Sequence, residues 1–420
     1  MNAMAPLICL ITPGHVSSAP RLVKEADALV DAGYRVHVVY GRSFPGADPL
    51  DASILGSARW QYSCMDRSGV AGAVARKILR RFSRRLIVHA RLVTVRIAAR
   101  AINAEALRLG AIAASLPAKL YVGHSLGGLP AAAMAARRRS SLYGFDAEDF
   151  HGAETDVALY DRAERLSSGL LQARLLGGCS HLTAAAPMIS EQYVQVYRVH
   201  PRTVLNVFPL AQAPEYPVDP GPISDGRPAR IYWFSQTIGP GRGLEAVVAA
   251  LGLMRTPVEL HLRGFPAPGY VSRLQELAAR AGLARPVRCL QPGVPHEMAR
   301  LASGADLGLS TEERLPPNRN LCLTNKIFIY LLAGIPQLLS DTAAQRALAP
   351  ELGEAALLAD LSEPGAVAAR LDEFLSSPGR VAAARRKARE LAAQRFCWDV
   401  EKSIFLESIQ SVAPLSPGNR

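Results

Sequence analysis

Aromatic side chains make up only 6% of this sequence. Phe82 is the only one among the arginines of its most basic stretch. That is too few for a base-stacking platform, so nucleic acid is not an expected partner. No apolar run is long enough to span a bilayer. The apolar segment from Pro6 to Thr12 is short, lacks a preceding basic region and runs into Pro13-Gly14. It reads as a first strand rather than a signal peptide. The six cysteines (Cys9, Cys64, Cys179, Cys289, Cys322 and Cys397) include no Cys-x-x-Cys pair. Their scatter argues against a zinc site and for a reducing, cytoplasmic setting.

What is present is an ordinary globular composition over 420 residues, enough for two domains. The net charge of +12 points to an anionic partner. Leu7 to Ile11 is a continuous apolar run of the kind buried in parallel sheets. Pro13-Gly14-His15 turns the chain, an amphipathic helix follows to Gly33, and Val36 to Tyr40 is the next strand. This βαβ opening predicts an α/β domain with a parallel sheet.

Residues 70 to 115 carry a long helical pattern. Val74, Ile78, Phe82, Leu86, Val93 and Ile97 fall on one side, and Arg76, Lys77, Arg80, Arg81, Arg84 and Arg91 mainly on the other. A basic amphipathic helix near 74–97 suits an anionic membrane surface, which would make the protein peripheral on the inner face of a membrane. A solvated basic face on a domain helix is the plainer reading.

Lys119 to Gly128 reads as a strand, a Gly-x-Ser-x-Gly turn and the start of a helix, the pattern of a nucleophile elbow. Ser125 would be the nucleophile of an α/β-hydrolase, with His296 as the late histidine; a plain strand-to-helix turn explains the glycines equally well. Leu142 to Phe145 is a further strand, and Asp146, Glu148, Asp149, His151 and Glu154 follow it. Acids and a histidine just past a strand's carboxyl end are placed for acid/base chemistry or for acceptor hydroxyls. The Asp146-x-Glu148 spacing also suits a divalent metal. A solvated acidic loop is the structural alternative.

Prolines at 209, 214, 217, 220, 222 and 228 mark a linker. The plan then restarts. Arg230 to Phe234 is a strand, Ser235 to Gly243 a Gly-rich loop, and Leu244 to Leu253 a helix. The loop matches neither the Gly-x-Gly-x-x-Gly fingerprint nor the P-loop, yet its backbone N–H groups and Arg242 could wrap an anion. Thr324 to Pro336 reads as a helix start, a buried helix, a Gly334 stop and a strand. Lys326 sits in the first turn, where a cation opposes the helix dipole and a bound anion would relieve it.

These segments together resemble a GT-B glycosyltransferase of the retaining family 4 type, over nearly the whole chain. Ile11 to His15 looks like the family's first loop, Gly123 to Gly127 its strand-end histidine segment, and Phe145 to Asp149 its acidic segment. Ser235 to Gly243 resembles its donor-phosphate loop, with Gln236 in the Arg place and Arg242 in the Lys place. Asn325 to Pro336 resembles its Asn-Lys-hydrophobic-Glu-Tyr…Gly-x-Pro segment, with Leu321 and Ile329 where the family has glutamates. Ile329 cannot hydrogen-bond a ribose hydroxyl.

The resemblance implies two Rossmann-like domains facing each other across a cleft. Residues 1–210 would form the acceptor domain, 211–228 a linker, 229–395 the nucleotide-sugar domain, and 396–420 a helix and tail packing back on the first. It implies hexosyl transfer from a nucleotide sugar to a glycan or lipid-linked hydroxyl, in surface polysaccharide or glycolipid synthesis, without metal or other cofactor. Gly14, Gln236, Thr237, Arg242, Thr324, Asn325 and Lys326 would bind the donor. His124, Asp146, Glu148, Asp149 and His151 would line the reacting centre. Ile329 keeps an inactive nucleotide-sugar binder open beside the enzyme.

Overall fold

A computed structural model of the chain describes residues 5–43, 45–66, 69–90, 93–153, 162–216, 218–224 and 226–415. The chain divides into two compact units, Met1–Leu205 with Lys402–Arg420, and Asn206–Glu401.

In the first unit the strands are β1 (Leu7–Thr12), β2 (Arg35–Arg42), β3 (Gln61–Asp66), β4 (Leu120–His124), β5 (Leu142–Ala147), β6 (His181–Ala184) and β7 (Arg202–Thr203). They form one sheet in the order β3-β2-β1-β4-β5-β6-β7, with every pairing parallel. All of β1 is buried, as its unbroken apolar run requires when helices cover both faces. Ile8 lies opposite Val36 on one side and Leu120 on the other. The helices are α1 (Pro20–Asp31), α2 (Asp48–Ser57), α3 (Val70–His89), α4 (Val95–Ile102), α5 (Ala106–Ala114), α6 (Ser125–Arg139), α7 (Arg162–Leu175) and α8 (Pro187–Tyr197).

The second unit repeats the plan with β8 (Ala229–Ile238), β9 (Val258–Pro266), β10 (Arg288–Leu290), β11 (Leu307–Ser310), β12 (Gln337–Ser340) and β13 (Ala356–Ala359). Their order is β10-β9-β8-β11-β12-β13, again parallel. Its helices run from α9 (Leu244–Leu251), α10 (Tyr270–Arg280), α11 (Met298–Ala302) and α12 (Pro317–Leu321) to α13 (Asn325–Ala333) and α14 (Ala343–Leu352). They close with α15 (Pro364–Leu375), α16 (Pro378–Gln394) and α17 (Trp398–Gln410), the last of which passes from the second unit into the first. Each sheet reverses its winding once, between β1 and β4 and between β8 and β11. These reversals are where open α/β sheets bind ligands, at the strands' carboxyl ends.

Several elements differ from the sequence reading. The pattern over 70–115 is three helices, not one. Thr94 caps α4, its Oγ1 accepting from the Ile97 N–H at 3.3 Å, and Asn103 turns the chain into α5 by accepting from the Glu105 N–H at 3.0 Å. Arg91 lies outside the described residues, as does Glu154. The strand expected over Thr203 to Phe208 is only the short β7. Strand β3 went unread because its mostly exposed edge position leaves no apolar run. Among the described residues no helix is long and apolar enough to cross a membrane.

The Gly-x-Ser-x-Gly turn has a packing explanation. A Cβ at Gly123 would lie 2.4 Å from the Gly128 carbonyl carbon, and one at Gly128 would lie 2.9 Å from the Ile11 oxygen. Bare backbone there lets α6 press against β4 and β1. We expect Gly123→Ala to destabilise the protein by about 3 kcal/mol, because rigid backbone would have to move. Gly169→Ala, in α7 with no atom within 4 Å of the added carbon, should be neutral or stabilising. Calorimetric melting of both variants checks the contrast.

Candidate functional site

At the second unit's reversal point, β8 leads into Gly239–Gly243 and β11 leads into Thr311-Glu312. Gly241 and Gly243 both adopt left-handed conformations, with φ of +75° and +69°, which only glycine takes without strain. The turn brings Arg242 back toward β11, where its carbonyl accepts from the Thr311 hydroxyl at 3.1 Å. The Arg319 guanidinium donates to the Gly241 carbonyl. Helix α13 is fixed by Tyr330, whose hydroxyl lies 3.1 Å and 3.2 Å from the carbonyls of Tyr232 and Leu309. Gly308 leaves room for its ring, since a Cβ there would fall within 2.5 Å of it. Gly334 ends the helix in the left-handed conformation expected of it.

That anchoring buries Lys326. Its Nζ donates to Glu312 Oε1 at 2.6 Å and lies 5.5 Å from the centre of the Trp233 ring. Arg242 Nη1 donates to the other oxygen of Glu312 at 3.1 Å. Glu312 is itself buried, and its backbone N–H donates to Ser340 Oγ at 2.9 Å. The sequence reading asked what offsets the Lys326 charge; in this structure Glu312 does. Burial works against the Glu312 carboxylate, yet Lys326 and Arg242 hold its pKa below the usual value. Burial pulls Lys326 down, and Arg242 and Arg319 add to that pull while Glu312 resists it. Arg319 is also lowered, by burial and by Arg242. Three cations thus face the buried Glu312 carboxylate, with Glu313 also acting on Arg319, so the cations outnumber the acids. Thr324 caps α13, and its buried Oγ1 has no hydrogen-bond partner; the neighbouring Asn325 is exposed. Gln236 and Thr237 are not loop residues. Strand β8 continues through both after an irregularity at Phe234/Thr237, and both are exposed.

The first unit's reversal point gathers charge differently. Arg21, on α1, is fully buried and grips Asp146 at the end of β5 through Nε at 2.6 Å and Nη2 at 2.9 Å. It also donates to the Val204 carbonyl at 2.8 Å and lies 3.4 Å from Glu25 one turn on. Thr183 Oγ1 donates to Asp146 at 2.5 Å. His124, the last residue of β4, lies 3.3 Å from Glu25, 3.5 Å from Asp146 and 3.9 Å from Glu148. Burial opposes its imidazolium, but Glu25, Asp146 and Glu148 outweigh burial and raise its pKa to about 10. Burial and the neighbouring Asp146 carboxylate raise Glu25 to about 7. Burial would raise Asp146 too, but Arg21 and His124 hold it far below the carboxylate range.

A charged His124 would be held there by the surrounding carboxylates rather than by hydrogen bonds, since neither ring nitrogen has a hydrogen-bond partner among the described residues. Glu25, His124 and Asp146 each bring one possible ligand atom within 4.8 Å of the others, while Arg21 and Thr183 hydrogen-bond Asp146. Sequence reasoning missed Arg21 and Glu25. The available signal was two charges at helical spacing among Leu22, Ala26 and Leu29, on the helix's apolar side.

The remaining candidates are placed as follows. Gly14 follows β1; its N–H donates to Thr12 Oγ1 at 3.3 Å and its carbonyl accepts from Gly41 at 3.2 Å. His151 is buried with its ring 5.7 Å from that of Phe145, and its carbonyl accepts from Gln172 at 2.8 Å. The Asp149 carbonyl accepts from the Tyr193 hydroxyl at 3.2 Å. Ser125 has a left-handed φ of +57° and is half-buried. No histidine hydrogen-bonds its hydroxyl among the described residues, so the base that would activate a nucleophile is missing.

No family model matches the chain, and no curated protein matches it in sequence. Solved structures do match. Anabaena Alr3699/HepE in complex with UDP-glucose superposes with a TM-score of 0.69 at 15% identity, covering 97% of this chain and 100% of that one. Sucrose-phosphate synthase from Thermosynechococcus elongatus gives 0.65 at 15% identity, over 97% and 99%. A UDP-N-acetylglucosamine 2-epimerase, so named, from Listeria monocytogenes gives 0.55 at 12% identity, over 97% of each. These likenesses establish the GT-B fold.

The charge state of His124 is directly measurable. Its pKa lies above the unfolded value of 6.5, so its charge stabilises the fold fully below pH 6.5, and that contribution is lost as pH rises through about 10. His181, which burial lowers to about 4, should stay neutral at pH 6. Imidazole NMR should therefore show one buried ring still protonated at about pH 8 and another unprotonated at about pH 6. His124→Gln should remove the first signal.

Proposed function

We propose that the chain transfers a glycosyl unit from a nucleotide-sugar donor to a hydroxyl acceptor, with retention at the anomeric carbon. The observation that carries this reading is the excess of Arg242, Arg319 and Lys326 over the carboxylates of Glu312 and Glu313 that act on them. It lies where a left-handed glycine turn opens α9 and where α13 begins, and both helix starts present free N–H groups. A diphosphate is the ligand chemistry that such a pocket favours. The HepE structure with UDP-glucose makes a uridine diphosphate sugar the first donor to test.

In the proposed reaction the bond from the anomeric carbon to the phosphate oxygen breaks. A bond to the acceptor oxygen forms, and the acceptor's proton leaves with the nucleoside diphosphate. Negative charge builds on the departing phosphate, where Arg242, Lys326 and the N–H groups near Thr324 and Asn325 stabilise it. The resemblance in sequence supports retention. The acceptor, a glycan or lipid-linked hydroxyl of the surface-polysaccharide or glycolipid class, is assigned to the first unit. There His124 donates a hydrogen bond and Glu148, less buried than its neighbours, accepts one. Gly14, whose carbonyl accepts from Gly41, is kept with the donor residues, as the resemblance has it. A second reading, a binder that does not turn over, is favoured by the apolar Ile329.

Lys326→Ala and Arg242→Ala should each lower the transfer rate constant by roughly 100-fold, the scale for losing one preorganised donor. Nucleoside-diphosphate release from a panel of sugar donors measures it. Wild-type turnover and affinity in either variant would remove that residue from the site. Tight donor binding with no transfer and no slow hydrolysis would select the binder.

Glu312→Gln has an opposite signature. Without its charge the buried cations lack a partner, so the ligand-free melting temperature should fall. Affinity for a nucleoside diphosphate should rise, because the resident anion no longer competes. Calorimetry and titration check the two signs together.

A further inference from the structure

Helix α3 turns Arg76, Arg80 and Arg84 toward its neighbours and leaves Val74, Ile78 and Phe82 exposed. Arg84 Nη2 lies 2.7 Å from Glu164, Arg80 Nε donates to the Ala101 carbonyl at 3.2 Å, and Arg76 lies 3.9 Å from Glu105. These residues recur every fourth position and clamp α3 to α4, α7 and the start of α5. The residues expected to pack point to solvent instead: Val74, Ile78 and Phe82 are 53%, 63% and 57% exposed. The helix keeps only a thin buried seam, at Ser83 and Ile87.

Beside the apolar row runs a second one. Lys77, Arg81 and Arg85 are exposed, keep the same four-residue spacing and make no ion pair among the described residues. Helical geometry lays two such rows side by side. A groove of about 670 Å³ adjoins them, lined by Arg76, Lys77, Arg80, Arg81, Arg84 and Asn103. An exposed apolar row flanked by unpaired cations is the composition of a helix that lies in a membrane interface.

We propose that this face of α3 docks the protein on an anionic phospholipid bilayer. Val74, Ile78 and Phe82 enter the acyl boundary, Lys77, Arg81 and Arg85 meet the headgroup layer, and a lipid phosphate fits the groove. Charge complementarity selects this occupant. A second copy would bring a chain of net charge +12 against its like. The inference does not rest on the sugar-transfer reading, since it uses none of the residues assigned to the donor or acceptor.

Sedimentation of the full chain with phosphatidylcholine vesicles, with and without phosphatidylglycerol, tests it. The protein should pellet only with phosphatidylglycerol, and salt should release it. Lys77→Gln, Arg81→Gln and Arg85→Gln together should weaken binding by roughly a hundredfold. Ile78→Asp with Phe82→Asp should weaken it by at least about tenfold. Melting temperature and nucleotide binding should be unchanged, since these side chains are solvent-exposed. Failure to pellet with anionic vesicles, equal binding to neutral ones, or binding unmoved by both variants would overturn the proposal. So would a solution dimer that the Ile78→Asp, Phe82→Asp variant dissolves.

Discussion

Glu312 holds two cations at once, and the second unit's site is built on that contact. A buried lysine is costly unless something pairs with it, and the desolvation of an ion pair often consumes what its attraction provides. Here the carboxylate is shared, with one oxygen toward Lys326 and the other toward Arg242. The Trp233 ring covers part of Lys326, and the Ser340 hydroxyl fixes the backbone of Glu312. Charge is only partly balanced, because Arg319 adds a third cation. The fold supports this residue: α13 carries Lys326 in its first turn and is buried from there to its end. The position of the lysine is therefore set by packing, and its state by a single acid.

The first unit uses the same place in the same topology for a different balance. Arg21, His124 and Lys24 face Asp146, Glu25 and Glu148, so opposite charges are nearly matched. Nearly every member is buried, and Arg21 cannot leave Asp146 without stranding a charge. Such a cluster does not attract an anion. It ties α1, β4, β5 and β6 together through Arg21, Glu25, His124, Asp146 and Thr183. The two reversal points thus divide the chemistry. One carries surplus positive charge, and the other is close to balance.

The alternation of apolar runs and amphipathic stretches made both sheets legible, because buried parallel strands have no polar face to disguise them. The Gly-rich loop, Lys326 and the Gly334 cap were legible for the same reason: each is a local requirement of backbone or dipole. Glu312 as partner of Lys326 was not, since fourteen residues and a proline-containing turn separate them and only tertiary packing closes the gap. Arg21 and Glu25 were hidden by a helix whose apolar positions read normally. The orientation of α3 was left open because helical periodicity fixes two opposite faces without saying which one is inside. Three arginines with acids or a carbonyl to meet outweighed three apolar side chains with nothing to cover them.

The same reasoning bears on Ile329, which stands where the resembling family has a glutamate. It lies one turn on from Lys326 in α13 and is buried. A glutamate there would be a second buried carboxylate within reach of the same lysine. It would cancel more of the positive charge and would need partners of its own. Isoleucine leaves Glu312 as the one buried carboxylate paired with Lys326 among the described residues and fills the helix face with packing instead. On the donor reading, phosphate recognition then falls on Arg242, Arg319 and Lys326. Recognition of the ribose must come from groups outside α13, because that helix offers it no acceptor at this position.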